Sequence, residues 1–211
     1  MTDVLETISS QLYDGNASEV SDLVQKALDD GLPPQQVLEG GLIKGMDRVG
    51  VDFKNGDLFV PEVLIAARAM DAGMKVLRPL LVENDVPFVG KFVVGTVKGD
   101  LHDIGKNLVK MMIEGAGFQT IDLGTDVTPE SFVAAVKEHK PEIIGMSALL
   151  TTTMLQMKST IEALQGAGLR DSVKVMIGGA PVTAAFAKQI GADGFAPDAA
   201  SAVEVARSLV H

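Results

Sequence analysis

FVVGTVKGDLHDIGKNLVKMMIEG (92–115) is the stretch on which the reading of the chain turns. Its first six residues, FVVGTV (92–97), form a short apolar run of the kind that makes a buried strand. Its last ten, KNLVKMMIEG (106–115), have helical spacing. Across KGDLHDIGKN (98–107), Asp100, His102 and Gly105 stand in the spacing D-x-H-x-x-G. The three therefore lie on a loop that leaves the carboxyl end of a strand and enters a helix. In an open parallel α/β sheet, ligands sit along that edge.

His102 is one of three histidines, with His139 and His211, and the chain has no Cys. A metal site built from protein alone needs about three or four clustered donors, which this inventory hardly supplies. A lone His can still be an axial ligand where a macrocycle provides the other metal bonds. Such a His usually gives its second ring N–H to a carboxylate, and Asp100 is two residues away. Gly105 would let a bulky ligand approach the backbone. The competing reading is plainer: Asp100 or Asp103 caps the helix, and His102 is a solvated loop residue. A phosphate loop is excluded. That motif has four residues between its glycines and a Ser or Thr after the Lys, whereas five separate Gly99 from Gly105 and Asn107 follows Lys106.

Downstream, short apolar runs alternate with helical segments. Strands are predicted at 92–97, 118–123, 142–147 and 173–177, with a weak one near 193–196. Helices are predicted near 106–116, 129–139, 153–167, 181–190 and 198–209. This alternation implies a doubly wound parallel sheet. Its carboxyl edge collects Gly124, the hydroxyls of SALLTTT (147–153), Gly178-Gly179-Ala180, and Phe195-Ala196 ahead of Asp198. Ser147 and the threonines either bond a ligand's polar tail or cap the next helix. The glycine pair is compatible with simple turn chemistry and lacks the dinucleotide fingerprint G-x-G-x-x-G.

Upstream, residues 1–83 read as helices only. The segments are 4–15, 17–30 with a capping box from Asn16 to Glu19, 34–50 opened by Pro33-Pro34, a turn at 52–57, and a long helix 58–82 with Pro61 in its first turn. Four amphipathic helices with short connections suggest a bundle. Residues 84–91 read as a linker and 92–211 as the α/β domain.

Of the 211 residues 46% are hydrophobic, enough for a sizeable core, and the net charge is −10. That charge, with no Trp and one Tyr, argues against nucleic acid as a partner. No apolar run reaches about 18 residues, and Asp3 and Glu6 stand where a secretory leader would be basic. The expectation is a cytoplasmic protein with no membrane contact. Absence of Cys excludes a disulfide framework.

The set D100-x-H102-x-x-G105, S147-x-L149-x-T151 and G178-G179-A180 resembles the signature of the cobalamin-binding domains of methionine synthase and of methyltransferase corrinoid proteins. LFVPEVLIAARAM (58–70) resembles the last helix of their cap domain, so the resemblance covers nearly the whole chain. The layout is most similar to stand-alone corrinoid proteins of methanol, methylamine and methoxyl-group systems. It implies a four-helix cap followed by a Rossmann- or flavodoxin-like domain holding cobalamin or a related corrinoid. His102 would replace the cofactor's dimethylbenzimidazole as lower cobalt ligand, the base-off/His-on state. Asp100 would accept a hydrogen bond from His102, and Thr153 would complete the relay, where methionine synthase has Ser. Leu101, Asp103, Ile104 and Gly105 would flank the cofactor. Ser147, Leu149 and Thr151 would line the slot for its nucleotide tail, with Gly178, Gly179 and Ala180 letting that tail lie against backbone, and Phe195 and Ala196 would be further cofactor-binding residues. Phe53, Val60 and Val63 would cover the methyl-bearing face, with Val60 where methionine synthase has Leu, and Met70 would be a further cofactor-binding residue.

The implied function is that of a methyl carrier, the methyl-carrying subunit of a corrinoid-dependent methyltransferase system. Co(I) would take a methyl group from a substrate-specific methyltransferase. Methyl-Co(III) would deliver it to a second methyltransferase acting on tetrahydrofolate or a thiol. A reductive activating protein would be a further partner. Losing the methyl also loses the bond to His102, which can then take up a proton beside Asp100. Three alternatives are weighed against this. A mutase cobalamin subunit shares D-x-H-x-x-G but has no helical cap. A cobalamin-binding regulator or light sensor should carry an output domain and a cap Trp. A phospho-receiver needs an Asp where Met146-Ser147 stands.

Overall fold

The computed structural model describes residues 2–84 and 86–210. His211 lies outside the described residues. The chain divides into two compact units. One runs to Phe88 and takes in Gly115–Gly117, and the other comprises Val89–Glu114 and the chain from Phe118 onward.

The first unit is helical. Its helices are α1 (Thr2–Tyr13), α2 (Ala17–Asp29), α3 (Pro34–Val37), α4 (Lys44–Asn55) and α5 (Val60–Glu83), with a π-helical stretch, Leu38–Ile43, joining α3 to α4. Apolar residues at helical spacing supply its core: Ile8, Leu12, Val20, Val24, Leu42, Val49 and Leu77 are fully buried. Gly73 allows α5 to approach closely, since a Cβ there would stand 2.8 Å from Leu42 and 3.1 Å from Val20.

Two local expectations change. Asn16 precedes α2 but makes no side-chain cap hydrogen bond; half of a capping box forms instead at α5, where Glu62 accepts from the Phe59 N–H at 3.0 Å. The segment expected to be a turn at 52–57 is helical through Asn55, and the chain reverses at Gly56, whose φ of 82° is left-handed. A left-handed glycine just past the last turn is a common helix stop. Phe53 is therefore in the last turn of α4.

The second unit is a five-stranded parallel sheet, β1 (Lys91–Thr96), β2 (Gln119–Asp122), β3 (Ile143–Ser147), β4 (Lys174–Gly178) and β5 (Gly194–Ala196), in the order β2-β1-β3-β4-β5. Its helices are α6 (Ile104–Gly115), α7 (Pro129–His139), α8 (Leu155–Gly166), α9 (Ala184–Ile190) and α10 (Ala199–Val210). Helices α8 and α9 are shorter than the predicted 153–167 and 181–190. Residues 153 and 154 are taken up by the site loop, and α9 begins only after Thr183, which caps it by accepting from the Phe186 N–H at 3.1 Å. Strand β1 is buried from Phe92 onward, as befits a central strand covered on both faces. Val93, Ile144, Val175, Phe132, Met157, Ile161 and Leu164 anchor the core.

Chain progression from β1 goes to β2 on one side, and from β3 to β4 and β5 on the other. The strand order reverses between β1 and β3. The loops leaving these two neighbours, 97–103 and 148–154, therefore frame the crevice where ligands bind in such sheets. No described helix is long and apolar enough to cross a membrane.

Candidate functional site

Asp100 is the centre of the crevice. It is fully buried, and a buried carboxylate is costly unless its lone pairs are satisfied. Five contacts satisfy it. Oδ1 accepts from the His102 backbone N–H at 3.1 Å and lies 2.7 Å from His102 Nδ1. Oδ2 accepts from the Leu149 N–H at 2.8 Å, the Leu150 N–H at 3.4 Å and the Thr153 hydroxyl at 2.6 Å. Burial alone pushes the Asp100 carboxyl up. The hydrogen bonds from Thr153, Leu149 and His102 outweigh it and hold the group well below the usual carboxylate range. Asp100 is therefore an anion that ties the β1 loop to the β3 loop, not a helix cap.

His102 is fixed at three atoms. Its N–H and Nδ1 face Asp100, and its carbonyl accepts from the Thr96 hydroxyl at 2.8 Å. With Nδ1–H directed at an ionised carboxylate, Nε2 carries the lone pair. The side chain is 52% exposed, and Nε2 has no hydrogen-bond partner among the described residues. Thr153 Oγ1 also lies 3.1 Å from the Leu150 carbonyl. Its single proton thus has two acceptors, with the carboxylate the nearer.

Around this imidazole the surface is apolar. Leu101 and Ile104 are 73% and 79% exposed, and Leu149, Leu150 and Leu155 are exposed as well. Leu150 and Leu155 were not singled out in the sequence. Their signal was two large apolar residues, one in the loop and one opening α8, at an edge that ought to be polar. Asp103 stands at the mouth of α6, where its carboxylate accepts from the Asn107 side chain at 3.1 Å.

Gly105 is in the first turn of α6 without a left-handed φ, and a Cβ built there would meet nothing within 4 Å. Neither backbone conformation nor protein packing requires glycine at that point. The other glycines of the edge differ. A Cβ on Gly178 would stand 2.9 Å from the Ala196 carbonyl, and one on Gly179 would stand 1.9 Å from the Ala148 carbonyl. The strand ends themselves demand glycine there.

Ser147 closes β3 and Thr151 is exposed in the loop beyond it; neither hydroxyl has a partner among the described residues. They do not cap α8, which starts without a side-chain cap. Ala180 is exposed, Phe195 is partly buried against the core and Ala196 is buried. In the helical unit Phe53 is partly buried and Val60 is 37% exposed, with Phe59 beside it at 66%. Val63 and Met70 are buried.

Among the described residues no group of three or more His, Cys, Asp or Glu side chains is placed to hold a metal ion. The donor set at this edge is one imidazole on an apolar rim. That suits a metal whose remaining ligands arrive with it inside a large, flat, mostly apolar group.

Comparison with known proteins gives the family. Residues 90–206 and residues 4–78 each match a family described as a B12 binding domain. A corrinoid protein of Desulfitobacterium hafniense strain Y51 is 43% identical over 98% of this chain and 97% of its own. A dimethylamine corrinoid protein of Methanosarcina barkeri is 44% identical over 99% of this chain and 98% of its own. Among solved structures, a cobalamin-binding protein from Desulfitobacterium hafniense DCB-2 aligns with a TM-score of 0.81 at 34% identity, over 98% of both chains. The methanol:cobalamin methyltransferase complex of Methanosarcina barkeri aligns with a TM-score of 0.86 at 30% identity, over 99% of this chain and 80% of that one. With both units matched and the alignments running nearly end to end, the chain belongs to the B12-binding corrinoid proteins.

Proposed function

We propose that this protein is the methyl carrier of a corrinoid-dependent methyltransferase system and that it holds its corrinoid base-off, with His102 Nε2 below the cobalt. The observation that carries this reading is the imidazole itself. Asp100 and Thr96 hold His102 at its amide, ring and carbonyl, and the one ring nitrogen left over is open at the switch point of the sheet. Family membership supports the corrinoid. The relatives named for dimethylamine and for the methanol:cobalamin methyltransferase complex support the methyl-carrying role.

When bound, the corrinoid supplies the cobalt that takes up and releases the methyl group. The chain's own residues do the rest. Asp100 keeps Nδ1 as the protonated ring nitrogen, so that Nε2 is the donor. The Thr153 hydroxyl and the Leu149 and His102 amides keep Asp100 ionised. Should a proton reach the His102–Asp100 pair and rest on the carboxyl group, the Thr153 hydroxyl can turn its own hydrogen to the Leu150 carbonyl and accept a hydrogen bond from that carboxyl group. The unpartnered hydroxyls of Ser147 and Thr151 suit the polar tail of the displaced nucleotide. On the strength of the family resemblance Phe53 and Val60 shield the methyl-bearing face; Val63 and Met70 are buried and present no open side chain to it. The partners are a substrate-specific methyltransferase, a second methyltransferase that passes the methyl group to tetrahydrofolate or a thiol, and a reductive activating protein.

The experiment is electron paramagnetic resonance of the Co(II) form prepared with isotopically labelled histidine. A nitrogen splitting that changes with the label identifies a protein imidazole as the lower ligand. A splitting that ignores the label and follows a labelled dimethylbenzimidazole overturns the reading.

A further inference from the structure

Strand β1 reads KFVVGT, and after Lys91 its only polar side chain is the last one, Thr96. Thr96 is fully buried. A buried hydroxyl destabilises a fold unless it is hydrogen-bonded, and this one has one partner among the described residues: it donates to the His102 carbonyl at 2.8 Å. Its backbone is hydrogen-bonded through both N–H and carbonyl. The Thr96 N–H donates to the Gly124 carbonyl at 3.0 Å, and its own carbonyl accepts from the Val127 N–H at 2.9 Å. A residue locked on the central strand thus reaches six positions forward to the middle of the site loop.

The contacts of Asp100 with His102 fall on the amide and the ring. The His102 carbonyl belongs to the next peptide plane, which Asp100 does not touch. Two adjacent peptide planes set the direction of the Cα–Cβ bond between them, and through it the place of the ring. Asp100 fixes one plane and Thr96 the other.

We propose that Thr96 is a positioning residue for His102, holding the second peptide plane so that Nε2 stands where cobalt can be ligated. The proposal rests on the reading of His102 as the lower cobalt ligand. Thr96 is fully buried and acts only through His102.

The test compares two probes, cob(II)alamin and a cobalt-free corrinoid with the same side chains. Only the first can use His102; both need the rest of the site. Thr96→Val keeps the shape and removes the hydroxyl. It should weaken cob(II)alamin roughly fivefold, the effect of one net hydrogen bond, and leave the cobalt-free corrinoid unchanged. Thr96→Ser restores the hydroxyl and should bind both probes like wild type. Should Thr96→Val fold poorly, Thr96→Ala, which also lacks a donor, gives the same ratio of affinities, in which a general loss of stability cancels. Equal weakening of both probes, or no change with either, overturns the proposal. His102→Ala separates the two ideas. If it weakens cob(II)alamin selectively while the Thr96 variants do not, positioning by Thr96 is wrong and the ligand stands. If His102→Ala is itself indifferent to cobalt, the ligand reading has failed and the positioning role goes with it.

Discussion

Gly105 sits in the first turn of α6 with open space where a Cβ would be and no left-handed φ. In a helix, Gly costs about 0.5–1 kcal/mol relative to Ala. Gly105→Ala should therefore stabilise the apoprotein by up to about 1 kcal/mol in urea unfolding and yet weaken corrinoid binding. Stabilisation with unchanged binding would mean that nothing approaches this surface. His102 and Asp100 give a second prediction. His102→Ala removes the proposed ligand, whereas Asp100→Asn alters the group behind it, a change typically worth about 10–100-fold. Cofactor retention and the methylation rate with a cognate methyltransferase should fall further in His102→Ala; equal damage would dissolve that ranking. Most of this constellation is legible in the sequence because Asp100 and His102 are two residues apart on one loop. Thr153 comes from another loop and could be placed by the family resemblance alone. The Leu149 and Leu150 amides are invisible to sequence, since a backbone donor has no letter. Thr96 reads simply as strand.

At the scale of elements, the loop carrying His102 is secured on its helical side by an ion pair. Lys106, 3% exposed, reaches both carboxylate oxygens of Asp122 at the end of β2, at 2.6 and 2.7 Å, and the Asn107 side-chain oxygen at 2.8 Å. Asp122 also accepts from the Gly124 N–H at 2.9 Å and has Lys110 at 3.6 Å. Its side chain is 26% exposed. Removing one partner of a buried pair costs most when the partner left behind is the more desolvated one. Lys106→Met leaves a partly hydrated Asp122 that still has Gly124 and Lys110. Asp122→Leu leaves a buried ammonium with Asn107 alone. Urea unfolding of the apoproteins should show the larger loss for Asp122→Leu, by about 1–3 kcal/mol; the reverse order would place the charge burden on Asp122. Strand and helix order was legible because apolar runs and helical periodicity alternate cleanly from residue 92. The π-helical stretch Leu38–Ile43 was not. It contains Gly40 and Gly41, where a Cβ would stand 3.0 Å from Leu5 and from Ile8, a matter of packing against α1 that no local pattern announces. The end of α4 was misplaced because DFKNGD has turn composition; the first four of these residues are helical and only Gly56 turns the chain.

For the whole molecule, acid exposes how much stability rests on these carboxylates. Asp100 and Asp122 both have folded-state values below the ordinary range. For each, burial acts upward, while hydrogen bonds from Thr153 and Leu149, or from Lys106 and Gly124, act downward and prevail. A group that holds its proton less tightly when folded stabilises the fold fully above its unfolded value, near about 4, and loses that contribution as pH falls through the folded value. The apoprotein should therefore lose stability steadily below about pH 4, and Asp100→Asn should flatten that slope; an unchanged slope would assign acid sensitivity elsewhere. The helical unit supplies the last prediction. The family resemblance gives Phe53 a place over the methyl group of the bound cofactor. Burial of one such side chain is worth a few kcal/mol, at about 25 cal/mol per Å² of apolar area, so a docking partner can offset it and gain access. Phe53 is only partly buried in the last turn of α4, whereas the core of its unit is built on fully buried residues such as Leu12, Leu42 and Leu77. Phe53→Ala should accordingly leave folding and corrinoid binding largely intact. Its effect should be on light sensitivity, because a methyl radical split from cobalt recombines less often when nothing cages it. Side-by-side photolysis of the methylated wild type and Phe53→Ala measures this directly. Faster loss in the variant supports the shielding role, and equal rates from two folded proteins make Phe53 an ordinary packing residue of α4.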